Sequence, residues 1–130
     1  MLETPALVLL GDVVNSNKDR IGTTSWLRDL VGELDAAYEG RRLAPFDFTQ
    51  GDELQGLLKP EADPIEAVLR AALGPSARPM RWVAFRGFVD PGEGPATQRS
   101  GTAFIAARRA IAEAHSGHQR LVVVTGQPEV

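Results

Sequence analysis

The chain is 130 residues long with a formal net charge of −3, 43% apolar and 24% charged, the proportions of one folded globular domain and not of a collagen, coiled coil or disordered tail. No apolar run approaches the roughly 20 residues of a spanning helix and no basic segment followed by an apolar one opens the chain as a secretory leader would, which points to the cytoplasm; the absence of cysteine excludes disulfide scaffolds, thiolate zinc sites, iron–sulfur clusters and thiol catalysis. The mildly acidic balance argues against a nucleic-acid-binding domain, and the preference for arginine over lysine (Lys18 and Lys59 are the only lysines) is explained better by genome base composition than by any site.

Residues 5–14 are apolar and rich in β-formers and stop at a polar loop, so they read as a buried first strand. Thr24 or Ser25 can cap a helix running to about Glu39, with Leu27, Leu30, Val31, Leu34 and Tyr38 recurring at helical spacing and Gly40 as its stop. Residues 44–50 and 54–58 read as two strands of a hairpin with Gly51-Asp52 at the turn. Asp63-Pro64 starts a second helix, with Asp63 as N-cap, Glu66 placed for a capping box, and Ile65, Val68, Leu69 and Ala72 as its buried face; Gly74-Pro75 ends it. Residues 80–89 form a strand apolar on both faces, hence central. A Gly/Pro-rich loop leads to a helix over 102–115 with Phe104, Ala107 and Ile111 on one side, then a last strand over 121–125.

The resulting order predicts an α+β fold: a ferredoxin-like βαββαβ antiparallel sheet with helices packed on it, extended by one more helix and strand. In that topology the first strand lies beside the hairpin. Asp12 at the end of the strand and Asp52 and Glu53 at the hairpin tip then converge at one edge of the sheet. Close carboxylates repel one another unless a cation or proton is present, and a small set of oxygen ligands with open positions suits Mg²⁺ or Mn²⁺, shared with substrate phosphates. The backbone amides of Val13, Val14, Asn15 and Ser16, entering a helix, are candidates to cradle a phosphate. Ordinary turn chemistry also explains each Asp taken singly.

Other polar residues carry weaker signals. His115 and His118 fall at a helix end, where the dipole accounts for them. Ser16 and Ser25 lack a readable His partner. Trp26, Trp82 and Phe85 read as core, and Arg41-Arg42 as a solvated turn. Arg86, if it faces inward, needs an acid, for which the carboxylate edge is a candidate.

The segments Gly11-Asp12-Val13-Val14-Asn15-Ser16 with Asp19-Arg20, Phe48-Thr49-Gln50-Gly51-Asp52-Glu53-Leu54-Gln55-Gly56, and Ser100-Gly101-Thr102-Ala103-Phe104 through Ile111 resemble the SatD family over nearly the whole chain. Members of that family typically continue into a helix-turn-helix-like region, which this sequence does not reach. Its architecture is similar to the palm of class III nucleotide cyclases and diguanylate cyclases. There, a first-strand Asp and a hairpin acid hold two metals on a triphosphate, and those positions correspond to Asp12 and Asp52, with Glu53 offset by one. The resemblance also implies a helix arginine at the transition state, for which Arg108 and Arg109 are candidates, as Glu53 is for a base. It implies a homodimer by analogy.

Two departures bear on chemistry. The base-reading Lys position of the cyclases holds Phe48, and the transition-state Asn position holds Ile105. Losing one such donor typically costs about 10²–10³ in rate. The expectation is therefore a regulatory domain binding a nucleotide or other phosphate-bearing small molecule through Mg²⁺ or Mn²⁺, short of full cyclase chemistry. An active nucleotidyl cyclase or other phosphoryl-transfer enzyme, and a ligand-free dimerisation module, are the alternatives.

Overall fold

A computed structural model describes residues 3–49, 52–74 and 76–117, and the backbone of 121–124. Strand β1 (Thr4–Val13) leads through a 3-10 turn (Ser16–Lys18) to helix α1 (Arg20–Ala37). Then come β2 (Arg42–Phe48), β3 (Glu53–Leu58), α2 (Ile65–Leu73), β4 (Met80–Val89), a second 3-10 turn (Ala96–Gln98), α3 (Thr102–Ser116) and β5 (Leu121–Val124). The strands form one sheet in the order β2-β3-β1-β4-β5. β1, β2, β3 and β4 pair antiparallel, and β5 pairs parallel to β4. This is the expected ferredoxin-like palm, with β1 between the hairpin and β4.

The alternation of β1 builds two cores. Leu7 and Leu9 point to one face and pack with Leu27, Leu30 and Leu34 of α1 and Trp82 of β4. Ala6, Val8 and Leu10 point to the other and pack with Phe104, Ala107 and Ile111 of α3. Both faces of β1 are thus dry, which is why its sequence is a continuous apolar run and not an alternating one. Tyr38 closes the first core. Its hydroxyl donates to the Asp63 carbonyl at 2.5 Å and accepts the Ala67 N–H at 3.0 Å, joining α1 to α2; burial pushes that phenol up to about 12.

Four local expectations need correction. α1 starts several residues before Thr24: the Asp19 carboxylate accepts the Gly22 N–H at 3.1 Å and caps the helix. In α2, Asp63 does accept the Ile65 N–H at 3.0 Å, but the buried face is Ala67 and Ala71, while Leu69 is 51% exposed and Leu73 78%. Glu66 closes no capping box; it pairs with Arg41 and Arg70. Finally, Arg41 and Arg42 are tied down: the Arg41 guanidinium stacks on Tyr38 and donates to the Ala37 carbonyl, and Arg42 pairs with Asp35.

The hairpin turn spans more than two residues. The Asp52 N–H donates to the Thr49 carbonyl at 3.1 Å, and the Thr49 N–H to the Glu53 carbonyl at 2.9 Å. The left-handed conformation sits on Asp52 (φ 72°), a residue that tolerates it. Gln50 and Gly51 lie outside the described residues, as do Pro75, His118 and the segment after β5.

Candidate functional site

Asp12 lies opposite Glu53 on β3 and opposite Arg81 on β4. Directly opposed residues of antiparallel strands share a face, so Glu53, Asp12 and Arg81 form a row across three strands. The row lies on the α3 face, beyond Leu10. Arg81 is 6% exposed and donates to Asp12 Oδ1 at 3.4 Å and to His115 Nδ1, in the last turn of α3, at 3.0 Å. A guanidinium can only donate, so in this contact the His115 Nδ1 is the acceptor. The inward-facing arginine that meets the carboxylate edge is thus Arg81, whereas Arg86 donates to the Pro60 carbonyl at 2.8 Å.

Burial pushes the Asp12 carboxyl up, against the lowering pull of Arg81 and His115. Burial also pushes Glu53 up; Arg108 lowers it, Asp12 raises it further, and Gln55 lowers it by hydrogen bonding. Glu53 Oε2 is buried with no hydrogen-bond partner, and so is Oε1 of Gln55, two residues along β3 on the same face. Gln55 is 3% exposed. Buried polar atoms are normally paired. Two orphaned oxygens beside a close pair of carboxyls leave unfilled acceptors, which a hard cation fits.

The three acids of the sequence reading do not all meet. Asp12 and Glu53 come together. Asp52 is 5% exposed at the turn, where its carbonyl accepts the Val13 N–H at 3.4 Å, and it is not among the groups acting on Asp12 (Arg81 and His115) or on Glu53 (Arg108 and Asp12). Among the described residues no three acidic or imidazole side chains group closely enough to hold an ion. The third oxygen beside the Asp12–Glu53 pair is the Gln55 carboxamide, a residue whose role is invisible in sequence because its burial depends on the strand pairing.

The loop after Asp12 offers fewer donors than its length suggests. The Val13 N–H is given to Asp52, and the Val14 N–H to the Pro79 carbonyl at 2.9 Å, so neither is available to a phosphate. Asn15 is left-handed (φ 60°) and precedes the 3-10 turn, and the amides of Asn15 and Ser16 engage no backbone carbonyl among the described residues. Successive amides in left- then right-handed residues form an anion-binding concavity.

On α3, Arg108 stacks 5.6 Å from the Phe104 ring centroid, with its charge felt at Glu53. Arg109 is exposed and is not among the charges acting on either carboxylate. Phe48 packs against the first core and Ile105 is 58% exposed. No helix among the described residues is long and apolar enough to cross a membrane.

Solved structures with the same architecture are nucleotide cyclases. A bacterial light-regulated adenylyl cyclase superposes with a TM-score of 0.59 at 15% identity, covering 93% of this chain and 76% of that one. A second structure of a bacterial light-regulated adenylyl cyclase gives 0.58 at 13%, covering 92% and 42%. The guanylyl cyclase Cya2 gives 0.57 at 15%, covering 85% and 71%. At such identities the likeness is one of fold. No family model matches the chain and no curated protein matches its sequence.

Proposed function

We propose that this domain binds a nucleotide or related phosphate-bearing small molecule together with Mg²⁺ or Mn²⁺, and that it acts as a regulatory binding module without full cyclase chemistry. The observation that carries the reading is the Asp12–Glu53 pair: two adjacent, half-buried carboxyls raised by burial, with Glu53 Oε2 lacking a partner. Asp12 and Glu53 would hold the cation, with Gln55 Oε1 as a neutral third oxygen and Asp52 at the neighbouring turn. When bound, the cation would supply charge for phosphate oxygens in its open positions. The amides of Asn15 and Ser16 would take a phosphate on one side, and Arg108 would face it from α3. Arg81 keeps Asp12 oriented and keeps its charge partly balanced when no cation is bound.

The absence of chemistry in this reading rests on three positions. Phe48 is apolar and core-packed, so it reads no base edge. Ile105 offers no donor to a transition state. Arg109 points its charge elsewhere than the carboxyl pair. The cyclase architecture of the neighbours supports a nucleotide as the ligand class, and the reading extends their kind of ligand to this chain.

A thermal-shift panel of ATP, GTP, cyclic nucleotides and inorganic phosphate, each with and without Mg²⁺ or Mn²⁺, tests it. At about 100-fold its Kd a ligand should add roughly 2.7 kcal/mol of stability. A metal-dependent shift that Glu53→Gln removes is expected. No metal-dependent shift for any nucleotide would refute the reading, and formation of a cyclic product would replace it with the enzymatic one.

A further inference from the structure

On the face of the sheet away from the Asp12–Glu53 pair, a cleft of about 370 Å³ opens between α2 and the start of β4. Trp82 and Met80, 3% and 7% exposed, form its floor, Ala71 and Ala72 of α2 form one wall, and Arg78 and Pro79 form the other. Its size is that of a small-molecule pocket. Its chemistry has two parts. The floor is an indole and a thioether, both of which favour a flat aromatic partner. The wall carries a single charge, the Arg78 guanidinium, with no carboxylate among the lining residues.

Arg78 is held rather than loose. It donates to Thr23 Oγ1 at 3.2 Å and to the Asp19 carboxylate at 3.2 Å, and its Nε is buried without an acceptor. Its side chain remains 28% exposed. A guanidinium pinned by two partners, with part of its side chain exposed at the edge of an apolar cleft, is preorganised to receive an anion. A carboxylate matches its fork in both charge and geometry.

We infer that this cleft is a second ligand site, taking a small aromatic carboxylate with its ring over Trp82 and Met80 and its anionic group on Arg78. Bound there, the ligand touches the frame of the loop that follows Asp12. Pro79 accepts the Val14 N–H, Arg78 holds the α1 cap residue Asp19, and the Trp82 ring lies against Gly11, the residue before Asp12. The site itself is independent of the nucleotide reading, since none of its residues belongs to the Asp12–Glu53 row.

The test is a titration of the ¹⁵N-labelled chain with benzoate, with acetate and benzyl alcohol as controls for the charge and the ring alone, up to about 10 mM. Benzoate is expected to give saturable shifts at the Ala71, Ala72, Ala77 and Val14 amides and the Trp82 indole, with both controls at least about tenfold weaker. Arg78→Met should weaken benzoate by about tenfold. Ala72→Phe, which leaves the guanidinium and its partners intact while filling the cleft, should abolish the shifts even if Arg78→Met proves unstable. No saturable benzoate shifts at these residues, acetate binding as well as benzoate, or undiminished binding in folded Ala72→Phe would each overturn the assignment.

Discussion

Asp12 and Glu53 face each other across β1 and β3, and Asp12 raises the cost of ionising Glu53. Burial contributes most to both shifts, and Glu53 is raised further by Asp12. An acid whose folded pKa lies above its unfolded value binds protons in the native state that the unfolded chain has already released. Stability therefore falls as pH rises from the ordinary carboxylate range through the raised native values, and stays lower above them. Glu53→Gln should stabilise the chain at neutral pH, with the gain shrinking to nothing as the pH drops below that window. Urea denaturation across pH 3–8 measures it; a gain independent of pH would show that ionisation of Glu53 is not the cause.

Gly11 is fixed by the Trp82 ring. A Cβ at this position would stand 2.8 Å from two ring atoms, so the buried ring or the strand would have to shift. Gly11→Ala should cost about 1–3 kcal/mol, as overpacking a dense core does. Chemical denaturation of the variant checks it, and because Gly11 precedes Asp12, a displaced Asp12 should weaken metal-dependent ligand binding as well.

The Tyr38 hydroxyl is a buried polar link between the end of α1 and α2. Tyr38→Phe keeps the ring against Phe46 but removes the hydrogen bond to the Asp63 carbonyl and leaves the Ala67 N–H with the Pro64 carbonyl alone, at 3.1 Å. A loss of about 0.5–1.5 kcal/mol is expected for the hydrogen bonds removed. Amide exchange at Ala67 should speed up more than exchange in β1, since the break is local to the start of α2.

The reversed face of α2 gives a paired prediction. Ala67→Leu places a large side chain where the helix touches Tyr38 and should cost about 1–3 kcal/mol. Leu69→Ser, on the outward side, should stay within about 0.5 kcal/mol of the wild type. A sequence reading by size alone expects the opposite order, so thermal melts of the two variants separate the readings cleanly.

That reversal illustrates which parts of the molecule were readable from sequence. The strand order and the meeting of Asp12 with Glu53 follow from local periodicity plus a topology that allows few arrangements, and both hold. α2 misled because Ile65, Val68, Leu69 and Ala72 look like a core face; of these Val68 packs partly against the core, while close approach to the Tyr38 end of α1 favours the small Ala67 and Ala71. The start of α1 was hidden because Ile21 is 87% exposed and Gly22 is a poor helix former, and only the Asp19 cap reveals it. At the site, Arg81, His115 and Gln55 could not be ranked in advance. Their roles depend on which residue lies opposite Asp12 on β4, how α3 is docked, and which oxygens the pairing leaves without donors. Asp52 has a second reason to be an Asp, since it holds the left-handed turn conformation.

The most direct test of the central claim is a count of bound Mn²⁺ by electron paramagnetic resonance, with GTP or ATP present, in the wild type and in Asp12→Asn, Glu53→Gln and Gln55→Leu. Saturable Mn²⁺ binding to the wild-type chain is expected, weakened about tenfold or more by loss of either carboxylate, with a smaller loss for Gln55→Leu. Wild-type chain that leaves all the Mn²⁺ free, or binding that persists unchanged in both carboxylate variants, would contradict it.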